Sequence, residues 1–204
     1  MLFEDTYKTI EQAVEGTFKD KGSKFIAFAY PVTSETEVKP YLVKLRAEHT
    51  KANHFCYAYR LTPDKSVFRV NDDGEPSGTA GRPILNAMLS AGITNTLIVV
   101  VRYFGGTLLG VPGLINAYKS AAAEAITTAA VIEKTVNDIY EIKFDYLIMN
   151  EVMRLIKEEQ LTVLEQFFDN DCSIRFEVRK SQLNRVLERI QKQTEVTIKY
   201  IGTV

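Results

Sequence analysis

Apolar and polar positions along the chain follow two periods, and the switches between them mark out the elements. Tyr7 to Phe18 is rich in Thr, Val and Ile with partial alternation and predicts a strand, and Ser23 to Val32 predicts a second. Lys19-Asp20-Lys21-Gly22 between them reads as a hairpin turn. Its basic tip, with Lys19, Lys21 and Lys24, reads as solvated turn charge. Ser34 and Glu37 have capping-box spacing ahead of Val38, Tyr41, Leu42 and Leu45, which form one apolar helix face ending near His49. Pro40 leaves Thr36 as the alternative cap, because proline is tolerated only early in a helix. Asn53 to Leu61 alternates as a strand, with Phe55, Tyr57, Tyr59 and Leu61 on one face and His54, Cys56, Ala58 and Arg60 on the other. Ser66 to Val70 is a further short strand.

Pro83 suits the first turn of a helix that buries Ile84, Leu85, Met88 and Leu89, with Gly92 as its C-cap. The strand Leu97 to Arg102 follows, and Gly110 to Gly113 then precede a helix running through Leu114, Ile115, Tyr118 and the alanines to about Ala130. Past Val136, Tyr140, Ile142 and Phe144 alternate as a strand, while Met149, Val152, Met153 and Ile156 form a helical face. Leu161 to Phe168 and Ile174 to Val178 flank the turn Asp169-Asn170-Asp171 and predict a hairpin. Ser181 caps a helix with Leu183, Val186, Leu187 and Ile190 on one face, and Val196 to Ile201 closes the chain as a strand. The order βαββαβ predicts a ferredoxin-like domain with an antiparallel sheet, one face of which stays free to dock a partner. The expected class is α+β, with two domains at residues 1–136 and 137–204.

Composition narrows the class. With 204 residues, 46% hydrophobic and 25% charged, the chain can bury a sizeable core, and disorder is excluded. Met1 to Asp5 turns acidic at once and shows no signal peptide, and the apolar runs fall short of the roughly 20 residues that span a bilayer. A cytoplasmic protein with no membrane partner is the expectation. Cys56 and Cys172 lie far apart and form no CxxC spacing, which favours free thiols and argues against zinc. The net charge is −1, so any nucleic-acid contact must come from a local patch.

The candidate chemistry lies between Asp72 and Tyr118, where most of the 11 glycines fall. Glycine reaches positive φ and lets another molecule approach the backbone, so the cluster predicts two shaped loops. The first holds Asp72, Asp73, Gly74, Glu75, Gly78, Thr79, Gly81 and Arg82; the second follows Arg102 and Tyr103 with Gly105, Gly106, Gly110 and Gly113. Each precedes a helix, and free amides at a helix N-terminus hold anions, with Arg102 placed to neutralise one. Asp72, Asp73 and Glu75 allow a competing reading as ligands of a hard divalent cation or as general acid and base. They also allow ordinary turn chemistry, with one acid paired to Arg82 or Arg102. The spacing matches neither an EF-hand nor a Walker loop, and no cofactor or metal is assigned. His54 reads as a histidine hydrogen-bonded beside the acidic loop, and no catalytic residue is assigned.

At these residues the chain resembles a known family. Lys21-Gly22-Ser23-Lys24-Phe25-Ile26, Ala52-Asn53-His54, Asp72 to Pro83, and Val101-Arg102-Tyr103-Phe104-Gly105-Gly106 through Leu109-Gly110 to Ala117-Tyr118 are similar to the YigZ/IMPACT family, over roughly half of the chain. Two positions depart from its pattern: Val111-Pro112-Gly113 stands where a second glycine pair is usual, and Asn116 where a basic residue is common. Pro112 removes an amide donor and Asn116 a cation, which weakens the anion or RNA reading. The resemblance implies an N-terminal α/β sandwich like a ribosomal small-subunit protein and elongation factor G domain IV. It also implies a ferredoxin-like C-terminal domain.

For function the resemblance implies a non-enzymatic regulatory or binding protein of translation, acting through RNA, the ribosome or a ribosome-associated protein. Eukaryotic IMPACT proteins modulate a translation-control kinase by competing for its activator. Their RWD domain has no counterpart in these 204 residues, so that partner is not carried over. The alternative is an enzyme or sensor that binds a small phosphorylated ligand through the glycine loops, with or without a divalent metal. His54, Asp72, Asp73, Gly74, Glu75, Gly78, Thr79, Gly81, Arg82, Arg102, Tyr103, Gly105, Gly106, Gly110 and Gly113 are the expected ligand or partner site.

Overall fold

The computed structural model describes residues 5–169, 171–193 and 195–204. The chain forms two compact units, residues 7–134, and residues 135–204 together with Asp5 and Thr6.

In the first unit, β2 (Val14–Asp20), β3 (Ser23–Pro31), β4 (His54–Leu61), β5 (Val67–Asn71) and β6 (Thr96–Tyr103) make a five-stranded antiparallel sheet in the order β2-β3-β6-β4-β5. The central strand β6 is buried from Thr96 through Arg102, because both faces of the sheet are covered. Leu97, Val99 and Val101 join Ile26, Phe28, Phe55 and Tyr59 beneath α1 (Val38–Glu48). On the opposite face, Ile98 and Val100 join Phe25, Ala27, Cys56 and Ala58 beneath α2 (Gly81–Ala91) and α3 (Gly110–Thr128). The two alternating faces of β4 thus enter two different cores, which explains why both carry apolar residues. The alanines of α3 let it lie close to the sheet. A Cβ at Gly16 would fall 2.2 Å from the Ala125 amide nitrogen, so β2 needs glycine there.

The β2–β3 connection is a two-residue turn with Lys21 at φ 44° and Gly22 at φ 80°, the positive pair that matches strand twist in a hairpin. The capping box is present, with the Glu37 carboxylate accepting from the Ser34 amide and hydroxyl, both at 2.9 Å. Ser34 therefore caps a 3-10 turn at Glu35–Glu37, and α1 starts after it.

In the first unit two elements depart from the sequence expectation. Tyr7 to Phe18 is two strands: β1 (Thr6–Ile10) pairs with β7 (Val131–Thr135) in a separate two-stranded sheet, and β2 begins after exposed Glu11, Gln12 and Ala13. Gly110 to Gly113 do not precede α3 but form its first turn.

The second unit contains β8 (Asn137–Asp145), α4 (Met149–Glu158), β9 (Thr162–Phe167), β10 (Asp171–Arg179), α5 (Leu183–Gln191) and β11 (Thr197–Thr203). Its antiparallel sheet runs β11-β8-β10-β9, the ferredoxin-like order. Ile142, Phe144, Cys172, Ile174, Phe176 and Val178 pack beneath Val152, Leu155, Ile156, Val186 and Ile190 of the helices. Ser181 does not cap α5; it lies in a 3-10 turn, Lys180–Gln182, that leads into the helix. The hairpin turn expected at Asp169-Asn170-Asp171 includes Asn170, which lies outside the described residues. No helix among the described residues is long and apolar enough to cross a membrane.

Candidate functional site

Sheet register assembles the site. Arg102 on β6 stands opposite Phe25 on β3 and opposite His54 on β4, and Cys56 lies two residues beyond His54 on the same face. Tyr118 on the buried face of α3 reaches this row, its ring 5.1 Å from that of Phe25 in an edge-on contact. The acidic loop closes over the row and delivers Glu75.

Glu75 is the hub. Its Oε1 accepts from Arg102 Nη1 and, at 2.7 Å, from the Tyr118 hydroxyl. His54 Nε2 lies 3.9 Å from the same oxygen. Arg102 is only 4% exposed and Glu75 is buried, so each charge is compensated by the other away from water. The guanidinium carbon lies 5.4 Å from the Phe25 ring centroid and 5.6 Å from that of Phe104. Arg102 Nε is buried without a hydrogen-bond partner among the described residues. The Cys56 sulfur lies 3.0 Å from the Asp72 carbonyl and 3.3 Å from the Tyr118 hydroxyl. Burial pushes the Cys56 thiol far above its ordinary range, so it is an inert neutral donor. Burial first, then the neighbouring Cys56 and Glu75, also raises Tyr118, which keeps its proton.

The acidic loop is held by its own side chains. Asp72 Oδ1 accepts from the amides of Ala80 and Gly81 at 3.0 and 2.8 Å, and Oδ2 accepts from Gly78 at 2.9 Å. The amides expected to face an anion at the α2 N-terminus therefore already face a carboxylate of this chain. Asp73 Oδ2 accepts from the Phe55 amide at 2.6 Å, and Oδ1 accepts from Arg46 Nη2 at 2.8 Å. The Asp73 carbonyl lies 2.8 Å from His54 Nδ1, as expected for a histidine beside this loop. Between Asp72 and Glu75 the chain turns tightly, with the Glu75 amide donating to the Asp72 carbonyl. Asp73 at φ 43° and Gly74 at φ 87° provide that turn. Thr79 donates through its hydroxyl to the Pro76 carbonyl.

The second loop is anchored at its start. The Phe104 amide donates to Asn53 Oδ1 at 2.9 Å and the Gly105 amide to Ser23 Oγ at 3.1 Å. Tyr103 lies on the opposite face, its hydroxyl 2.8 Å from His49 Nδ1. Gly106 and Gly110 have φ of 84° and 72°, and Leu108 between them is 83% exposed. Gly113 is packed inside the first turn of α3, where a Cβ would fall 3.0 Å from that of Leu109.

His54, Asp72, Asp73, Gly74, Glu75 and Arg102 thus come together, with Gly78, Thr79 and Gly81 completing the acidic loop. Arg82 does not join them: it is exposed on the first turn of α2 and makes no ion pair among the described residues. Sequence reasoning missed Tyr118 and Cys56 as members of the hub and Asn53 and Ser23 as anchors. The signal for Tyr118 was its place on an apolar helix face, since a buried tyrosine hydroxyl requires a partner.

The Impact N-terminal domain family matches residues 21–126, which contain the whole hub. The chain is 31% identical over 93% of its length to the IMPACT family member YvyE of Bacillus subtilis, covering 87% of that protein. It is 37% identical over 62% of its length to YigZ of Escherichia coli, covering 63% of that protein. A crystal structure of a hypothetical protein, 24% identical, covers 98% of this chain and 99% of its own with a TM-score of 0.77, which shows the shared two-unit fold. With the family domain over residues 21–126 and these relatives along most of its length, the chain belongs to the IMPACT family.

Proposed function

We propose that this protein is a non-enzymatic binding module of translation that acts through RNA, the ribosome or a ribosome-associated protein. The observation that carries this reading is the mutual engagement of the reactive side chains in the hub. Glu75 receives Arg102 and Tyr118, Asp72 fills the α2 N-terminus, and Asp73 holds the Phe55 amide and Arg46. Groups locked in this way shape a loop, and shaped loops on a rigid sheet serve recognition. Family membership supplies the direction toward translation, through the resemblance to eukaryotic IMPACT proteins.

The alternative, an enzyme or sensor for a small phosphorylated ligand, loses its first amide cradle to Asp72. Salt-series cosedimentation of the full chain with ribosomes from its own source tests the proposal. Saturable binding that weakens with salt is the expected result. No binding at low salt would overturn it and return weight to the small-ligand alternative.

A further inference from the structure

In the second unit three large rings stay outside the core: Tyr146, Phe167 and Phe168 are 58%, 61% and 41% exposed. Register explains the first two. On β8 and β10 the side chains of Ile142, Phe144, Cys172 and Ile174 belong to the core beneath the helices. Phe167 pairs with Ser173, and Ser173 with Lys143, so these three share the face turned away from the helices. Asp145 ends β8, and its Oδ1 accepts from the Leu147 amide at 2.8 Å. The 3-10 turn Tyr146–Ile148 that it caps leaves Tyr146 outside.

Two hollows meet at this end of the sheet. Phe167, Lys143, Asp145, Ser173 and Glu195 line the first, of about 470 Å³. Phe168, Tyr146, Asp145 and Asp169 line the second, of about 550 Å³, so Asp145 borders both. Three carboxylates thus stand beside the rings against the one ammonium of Lys143. Asp145 and Glu195 make no ion pair among the described residues. Nor do the described residues hold three His, Cys, Asp or Glu side chains grouped for a metal ion. The carboxylates are therefore spaced for several separate positive charges. An open ring attracts a guanidinium or ammonium to its face and covers the aliphatic stem that carries it. Nucleic acid fits poorly, because its phosphates would meet carboxylates. A polypeptide that carries arginines supplies both the stems and the separate charges.

We propose that the two aromatic hollows joined at Asp145 bind a basic, arginine-bearing peptide segment of a partner protein. The proposal rests on the translation-associated reading and, for this surface, selects a protein partner over RNA. The test is fluorescence anisotropy of the full chain with a fluorescein-labelled peptide of alternating arginine and glycine, across a salt series. A length of about 12 residues, at about 3.3 Å each when extended, crosses both hollows. Saturable binding that weakens with salt is expected, and lysine in place of arginine in the probe is expected to weaken it, because the planar guanidinium stacks better on a ring.

The variant D145N/E195Q is expected to bind at least about 5-fold more weakly, with a shallower salt dependence. Asparagine at 145 keeps an oxygen that can accept from the Leu147 amide, so the turn is retained. Phe167→Ala is expected to weaken binding about 3-fold at an unchanged salt dependence. The control E11Q/E124Q, which removes two exposed carboxylates from the first unit, is expected to change neither. No binding by the wild type at low salt, or D145N/E195Q equal to the control, overturns the proposal. Phe167→Ala equal to the wild type also overturns it, leaving only general charge attraction. So does spermine competing as well as unlabelled peptide at equal total charge, which would make the hollows a polyamine site. Ribosome cosedimentation separates the two readings. Peptide binding through the hollows without ribosome binding sustains this proposal and overturns the ribosome; ribosome binding retained by D145N/E195Q, with no peptide bound by the wild type, does the reverse.

Discussion

In the loop from Asp72 to Gly81 one carboxylate collects the amides of Gly78, Ala80 and Gly81, while Glu75 dips into the sheet to meet Arg102 and Tyr118. In the loop from Phe104 to Gly110 only the first residues are tied down, by Asn53 and Ser23, and the chain then swings through Gly106 with Leu108 outward. Both loops are rich in glycine and both lead into a helix. Acids of its own turn the first loop into a structural clasp. Without them, the second keeps its apolar and aromatic side chains at the surface. An amide cradle is open to a foreign anion only when the chain supplies no carboxylate of its own.

The largest expected effect comes from unlocking the clasp. Arg102→Ala leaves Glu75 buried and uncompensated and is expected to cost about 3–5 kcal/mol in urea denaturation. The double variant R102A/E75Q is expected to recover part of that loss. A loss below about 1 kcal/mol for Arg102→Ala would show that the pair is open to water and free to meet a ligand.

Within the second loop, Gly105→Ala and Gly106→Ala separate two roles of glycine. The Gly105 Cβ would run into the Gly22 backbone, so about 3 kcal/mol or more is expected. Nothing lies within 4 Å of a Cβ at Gly106, and only its positive φ resists, at about 1 kcal/mol. Asp72→Ala removes the cap of three amides and is expected to cost about 2 kcal/mol. Leu108→Ser, on the exposed side of the comparison, is expected to stay within about 0.5 kcal/mol.

The smallest effect lies in the second unit. Hydrogen bonds from Arg179, then Ser181, hold the Asp5 carboxyl down to about 2. An unfolded aspartate titrates near 3.9, so this contribution is present above that value and is lost as pH falls through about 2. Asp5→Asn should make the loss of stability between about pH 4 and pH 2 shallower, as read from urea midpoints.

Much of the fold could be read because its patterns are local. The alternation in β4 and the three-and-four spacing in α4 and α5 each follow from one face meeting a core. The split between β1 and β2 was hidden, because pairing of β1 with β7 is set by residues more than a hundred positions away. At the site, the pairing of an acid with Arg102 and the placement of His54 followed from simple charge and turn logic. The partner of the α2 amides did not: Asp72 reaches Gly78, Ala80 and Gly81 only because Asp73 and Gly74 fold the loop back. Tyr118 and Cys56 were legible as core residues, and their link to Glu75 depends on how α3 crosses the sheet.

Amide hydrogen exchange by NMR tests most directly whether the first loop is a filled clasp and the second an open surface. Gly78, Ala80 and Gly81 are expected to be protected in the protein alone, with no shift on adding inorganic phosphate or Mg²⁺, while Gly106 exchanges rapidly. Fast exchange at Gly78, Ala80 and Gly81 that slows only when phosphate or Mg²⁺ is added would contradict the account and make the acidic loop the ligand site.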